Sequence, residues 1–210
     1  MGRNKYNFQR LPKEWDKSRL YTKLNELNTF NIFQEDNSAL TVADLPFYRS
    51  FKLLRATSLT SIPPYSAYYL VRKNGSDFEI IVPQGYEEDV QGESLRADVV
   101  LDSKSTAVEY AAFILSQIYT EHGALRLIDD FFDESMLTEP ATEEQLNKFE
   151  EIVRPARVKE TDCGFEIDAI IFYGDHVFIS VISVKTNGIV DIEKEEVLAT
   201  NMPIKPIFLK

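Results

Sequence analysis

The sequence predicts an α+β protein: a curved antiparallel sheet, ending in a C-terminal four-strand meander, packed on helices, with an additional N-terminal hairpin region. Three observations predict it. Residues 165–173, 177–184 and 189–198 are successive apolar runs, separated by the turn signals Gly174-Asp175 and Asn187-Gly188. Residues 106–119 and 142–153 carry apolar side chains at helical spacing behind capping-box residues. A second Asn-Gly pair, Asn74-Gly75, sits between the strand-like runs 67–72 and 78–82.

The meander carries the most information. Asn-Gly between two runs is a strong hairpin signal, because a type I′ turn needs positive φ at both central residues. A fourth short strand at 156–160 joins the first run through Thr161-Asp162-Cys163-Gly164. Side chains alternate along a strand, so Phe165, Ile167, Ala169, Ile171 and Tyr173 share one face. The other face begins polar with Glu166 and Asp168 and turns apolar with Ile170 and Phe172. The second strand is apolar on both faces, and a half-wet sheet would alternate cleanly. The sheet is therefore expected to be covered on both sides near its middle, by helices on one side and by the N-terminal half or a second subunit on the other.

Taken in order, residues 1–45 read as an N-terminal arm with one amphipathic segment, in which Trp15, Leu20, Leu24 and Leu27 have helical spacing after Pro12. Residues 46–101 form the hairpin region packed on the body, with a strand over 51–59 and the breaker Pro63-Pro64. Tyr65, Tyr68 and Tyr69 suit half-buried sheet positions, and a ligand-stacking platform is the sharper alternative. Residues 84–94 read as an acidic loop without phosphate-loop spacing, and 99–101 as a short strand. Residues 102–210 form the α+β domain itself. Its central helix opens on Thr106 and Glu109, is apolar over most of its circumference, and closes on Gly123. A strand at 124–128 and a helix from Thr142, stopped by Arg154-Pro155, lead into the meander. Pro203 and Pro206 keep the tail out of a central strand.

With 210 residues, 44% hydrophobic and 12% aromatic, the chain can bury a real core, which excludes wholesale disorder. The net charge of −11 is wrong for nucleic acid and for anionic membrane surfaces, so neither is an expected partner. The longest aliphatic–aromatic helical run, 111–115, is too short to span a bilayer. The single cysteine, Cys163, makes no internal disulfide, and the first residues carry neither an apolar leader run nor, with Tyr6, a myristoylation signal. A cytoplasmic location is expected.

Chemistry is sparse. His122 closes the central helix, where a cation complements the dipole; an acid–base role at a pocket mouth is the sharper alternative. His176 follows Asp175 in a turn, and turn polarity accounts for both. No metal-ligand spacing joins the histidines, so no metal and no cofactor is expected. A lone cysteine is more often inert than a nucleophile. Asp129, Asp130, Asp133 and Glu134 lack the order of a calcium loop and read as a solvated acidic loop. Asp168 would be partly buried if its face of the sheet were covered; an exposed aspartate near the strand end is the plainer reading. No catalytic residue is assigned.

The helix at 142–153 followed by a meander with the Asn187-Gly188 turn resembles the second half of the nuclear-transport-factor-2-like, or cystatin-like, fold. The resemblance covers 138–200 and implies a cone of bent sheet around a helix, often with a cavity. The segment 110–129 also resembles a stretch found in bacterial proteins. Members of the fold include enzymes, binding modules and dimerisation domains, so the fold alone assigns no activity. The resulting expectation is a non-catalytic binding or assembly module, a homodimer through the sheet face. The alternative is an enzyme using acid–base chemistry on a small apolar or aromatic ligand, with Tyr119, His122 and Tyr173 lining the mouth of the cone.

Overall fold

The structure, a computed structural model, describes residues 6–28, 31–60, 62–118, 120–121, 123–128, 137–138 and 142–204. It is an α+β protein with two antiparallel sheets. The described residues fall into two compact units, one running to Pro83 and one from Gln84. The sequence divisions stand instead at 45 and 101.

In the first unit, strands β1 (Gln9–Arg10), β2 (Ser38–Asp44), β3 (Lys52–Ser58), β4 (Tyr65–Asn74) and β5 (Asp77–Ile81) pair in sequence order. The end of the expected arm is thus a full strand, because Leu40 and Val42 alternate toward a core that only β3 and β4 complete. Helix α1 (Lys17–Glu26) starts at Asp16, whose side chain accepts from the Arg19 amide. Its Leu20, Tyr21 and Leu24 enter that core with Leu54, Tyr69, Val71 and Phe78. Trp15 packs there from ahead of the helix, and Leu27 is left exposed. The β4–β5 loop is Gly75-Ser76, with positive φ at Gly75 alone, the pattern of a type II′ turn.

Asp77 ties α1 to β5. Its carboxylate accepts from Arg19 Nε at 2.9 Å, from Lys23 Nζ at 3.1 Å and from the Phe78 amide at 2.8 Å. These donors, the Arg19 hydrogen bond foremost, hold its carboxyl well below the usual carboxylate range. The native state therefore binds this proton less readily than the unfolded chain. The resulting stability is present above the unfolded value of about 4 and is lost as pH falls through the lower folded value. Asp77→Asn should flatten the acid limb of the stability curve, read by urea melts between about pH 2 and pH 7. An acid limb unchanged from the parent would remove Asp77 as its source.

The second unit holds α2 (Glu87–Val90), α3 (Glu93–Arg96), α4 (Lys104–Gln117), β6 (Arg126–Ile128), α5 (Glu143–Ile152), β7 (Arg157–Thr161), β8 (Gly164–Tyr173), β9 (His176–Lys185) and β10 (Val190–Ala199). The four-strand meander is present as β7 to β10. The short β6 and β7 both pair with β8, one along each half of it. Residues 84–94, expected as a loop, contain the single-turn helices α2 and α3. The central helix begins one turn earlier than expected, at Ser103, whose hydroxyl accepts from the Thr106 amide. It also ends earlier, because Ile118 turns extended and bridges Gly85. By contrast, α5 carries the expected capping box between Thr142 and Gln145.

The β9–β10 connection differs from the type I′ expectation. Lys185 N donates to Ile189 O and Gly188 N to Lys185 O, both at 2.8 Å, and only Gly188 has positive φ. That is a three-residue loop, a tight turn followed by one left-handed glycine. It is clamped from outside. The buried Tyr110 hydroxyl donates to Gly188 O at 2.7 Å. The Gln91 side-chain amide accepts from Val190 N at 2.7 Å and donates to Val190 O at 3.0 Å, as a neighbouring strand would.

Coverage of the sheet is uneven in the way the alternation foretells. Ile128, Leu137, Phe149, Ile170, Phe172, Val177, Met202 and Ile204 form one cluster, with Phe149 and Phe172 rings 5.8 Å apart. The cover over this half is α5 and the chain that follows β10. Helix α4 packs on β6 to β9, and none of its residues belongs to the α5 cluster, so it covers the opposite face. Around Glu166 and Asp168 the α5 face is open, and Asp168 is exposed. Its cross-strand rows there are charged: Arg157, Asp168, Val181 and Lys194 in one, Lys159, Glu166, Ser183 and Asp191 in the next. Charges and two register shifts on the outer strand β10 discourage edge-to-edge association.

Candidate functional site

The residues expected to line a cone mouth are only partly placed. Tyr119 and His122 lie outside the described residues, as does the acidic cluster at 129–134. Tyr173 ends β8, half-buried, opposite His176 across the Gly174-Asp175 turn. His176 Nδ1 sits 2.6 Å from Asp175 Oδ1, and its ring stacks on Phe178 at 5.9 Å. Both polar side chains are well exposed, which makes this a solvated turn pair. Cys163 is exposed in the β7–β8 turn. Among the described residues, no group of three or more His, Cys, Asp or Glu side chains converges. No described helix is long and apolar enough to cross a membrane.

The tyrosines separate by strand parity. Tyr65 and Tyr69 point to the α1 side of the first sheet, where Tyr69 is buried and shares a 3.1 Å hydrogen bond with Asn28. Burial pushes the Tyr69 phenol up, against that hydrogen bond. Tyr65 stacks on Phe33 at 6.2 Å. Beside α1 lies a groove of about 570 Å³ lined by Tyr21, Asn25, Glu26, Phe33 and Glu35, among others. Its polar groups already have work. The Asn25 amide holds both the carbonyl and the amide of Phe33, and the Tyr21 hydroxyl donates to Ser38 O at 2.7 Å.

Tyr68 points the other way, onto a row drawn from four strands. Arg10 on β1 stands opposite Thr41 on β2, Thr41 opposite Arg55 on β3, and Arg55 opposite Tyr68 on β4. Directly opposed residues share a face, so all four project together, away from the α1 core. The next row is Ala39, Thr57 and Ser66, with the two hydroxyls 2.8 Å apart. Phe8 lies over the first row. The Arg55 guanidinium sits 4.4 Å from the Phe8 ring centre, and that ring is 6.0 Å from Tyr68. Arg55 Nε donates to Thr41 Oγ1 at 3.3 Å. Arg55 is half-buried, Arg10 is exposed, and Tyr68 retains 36% of its surface.

Neither arginine has an ion-pair partner among the described residues, and neither row contains a carboxylate. Lys17 pairs with Glu35, Arg19 and Lys23 with Asp77, Lys52 with Asp44, and Arg72 with Glu79, whereas Lys13, Arg49 and Lys73, like the two arginines, have no carboxylate partner among the described residues. Arg10 and Arg55 differ from these in standing together in one row beside Phe8 and Tyr68. The Phe8 ring lies against the Arg55 guanidinium and Thr41 takes its Nε–H, which leaves the Nη donors without a partner among the described residues. Sequence reasoning missed this row. The signal available was a strand, 52–58, whose alternate positions Arg55 and Thr57 are polar while Leu54 and Ala56 are not.

No protein-family model, curated protein or solved structure matches the chain.

Proposed function

We propose that the protein is a non-catalytic binding module that takes a partner on the open rows of its N-terminal sheet. The observation that carries this reading is Arg55, a half-buried residue whose guanidinium meets the Phe8 ring and Thr41, opposite Tyr68, without a carboxylate partner among the described residues. A guanidinium set against an aromatic ring with free donors is suited to receive an acceptor from a partner. Tyr and Arg are also side chains that concentrate binding energy at protein interfaces, and Phe is enriched there. On this proposal the C-terminal unit is a scaffold, in the manner of a cone-like sheet closed on α4. The full burial of Tyr110, Ala111 and Ile114 supports a filled interior there over a ligand cavity.

The test is selection of a displayed random-peptide library on the immobilised full chain. Clones should enrich, and their binding should fall about tenfold or more on Tyr68→Ala and on Arg55→Ala, with thermal melts confirming folded variants. Failure to enrich any clone, or clones indifferent to both substitutions, would overturn the reading.

A further inference from the structure

Resting on that binding-face reading, we infer the chemistry of the partner: an extended acidic peptide segment that places two carboxylates about four residues apart, on one face of the segment, on Arg10 and Arg55. The spacing follows from the sheet. Arg10 and Arg55 stand on strands one apart, across β2, so their backbones lie about 10 Å from one another. An extended peptide advances about 3.3 Å per residue and alternates faces, so side chains four apart share a face and stand about 13 Å apart, within reach of two long arginine side chains whose backbones are about 10 Å apart.

The recognising groups match carboxylates in kind as well as in place. The Arg55 guanidinium carbon lies 4.4 Å from the Phe8 ring centre and its Nε donates to Thr41 Oγ1, which leaves the two Nη groups to recognise a partner. A planar fork suits a carboxylate bidentately and makes the stronger, charge-assisted type of hydrogen bond. Between and beside the arginines are Thr41, Thr57 and Ser66, hydroxyls suited to peptide backbone groups, and Tyr68 with Phe8, suited to an apolar side chain in between. Nucleic acid is disfavoured by the same inventory. The rows offer two cations and no lysine, where a phosphate backbone asks for a longer basic track.

The experiment uses the full chain, labelled with nitrogen-15. Titrate it with an acetylated, amidated peptide of sequence Glu-Ala-Phe-Ala-Glu, with its Gln-Ala-Phe-Ala-Gln counterpart, and with a single-stranded oligothymidine. The acidic peptide should shift the signals of Arg10, Thr41, Arg55 and Tyr68, and the Gln counterpart should bind about tenfold more weakly or not at all. Arg10→Ala, an exposed position that leaves the fold intact, should weaken the acidic peptide several-fold. Arg55→Lys, which keeps the charge and loses the fork, should weaken it by about tenfold. Equal binding of the Gln peptide, or preference for the oligonucleotide at the same residues, would overturn the acidic-peptide assignment while leaving the binding face standing. Absence of any shift on this face, together with a display selection that enriches nothing, would overturn both.

Discussion

Gly164→Ala is expected to leave the C-terminal unit largely unfolded or severely weakened. Gly164 adopts φ of +143°, a region that side chains rarely enter. A Cβ there would lie 2.1 Å from Val184 O, with Lys185 Cα at 3.0 Å and Thr186 N at 3.1 Å. All three are backbone atoms of the paired strand and its turn, so no side chain can swing aside. Relief requires breaking the Gly164↔Lys185 pair and the 2.8 Å hydrogen bond from Thr186 N to Cys163 O. Backbone strain alone costs about 1–3 kcal/mol, and the lost pairing adds to it. A total of about 3 kcal/mol or more is a large share of the about 5–15 kcal/mol that holds a typical protein folded. Urea denaturation followed by circular dichroism measures it. A variant within about 0.5 kcal/mol of the parent would mean that β8 and β9 do not meet in this register.

The second large effect is expected at Tyr110, where two substitutions separate packing from hydrogen bonding. Tyr110 is fully buried on α4 and reaches the β9–β10 loop at Gly188 O. Tyr110→Ala should cost about 3–5 kcal/mol, from lost burial and the cavity left behind. Tyr110→Phe should cost about 1–3 kcal/mol, since the ring remains while a buried carbonyl loses this donor. Burial pushes the Tyr110 phenol well up, against a smaller opposing influence from Arg96. Its proton is therefore held more tightly in the folded state than in the unfolded chain. That contribution is intact below the unfolded value of about 10 and is lost as pH rises toward the higher folded value. Tyr110→Phe should accordingly be more costly at neutral pH than above about pH 10, where the parent itself weakens. An equal cost at both pH values would show that the hydroxyl is not buried.

The two glycine-bearing loops explain why local signals read well in one respect and poorly in another. Gly174 and Gly188 mark the ends of β8 and β9 because only glycine takes positive φ cheaply, and the strand order follows from those marks. The turn type at Asn187-Gly188 was not legible. It depends on Tyr110 and Gln91 reaching in from distant segments to hold Gly188 and Val190. The same holds for α4. Its apolar circumference announces a buried helix, yet its end at Gln117 is set by Ile118 bridging Gly85, a partner no local pattern names.

What the sequence determined by itself is the α+β class, the β7–β10 meander, the capped α5 and the polar-to-apolar change along one face of β8. Each is written in neighbouring residues, through alternation, capping and turn chemistry whose range is a few positions. Tertiary structure alone decided that residues 38–44 join a sheet, that α5 covers Ile170 and Phe172, and that Arg10, Thr41, Arg55 and Tyr68 stand in one row. Register between strands is the physical reason. It is set by which hydrophobic faces can be buried together, and a shift of one residue would send every member of that row to the opposite side of the sheet.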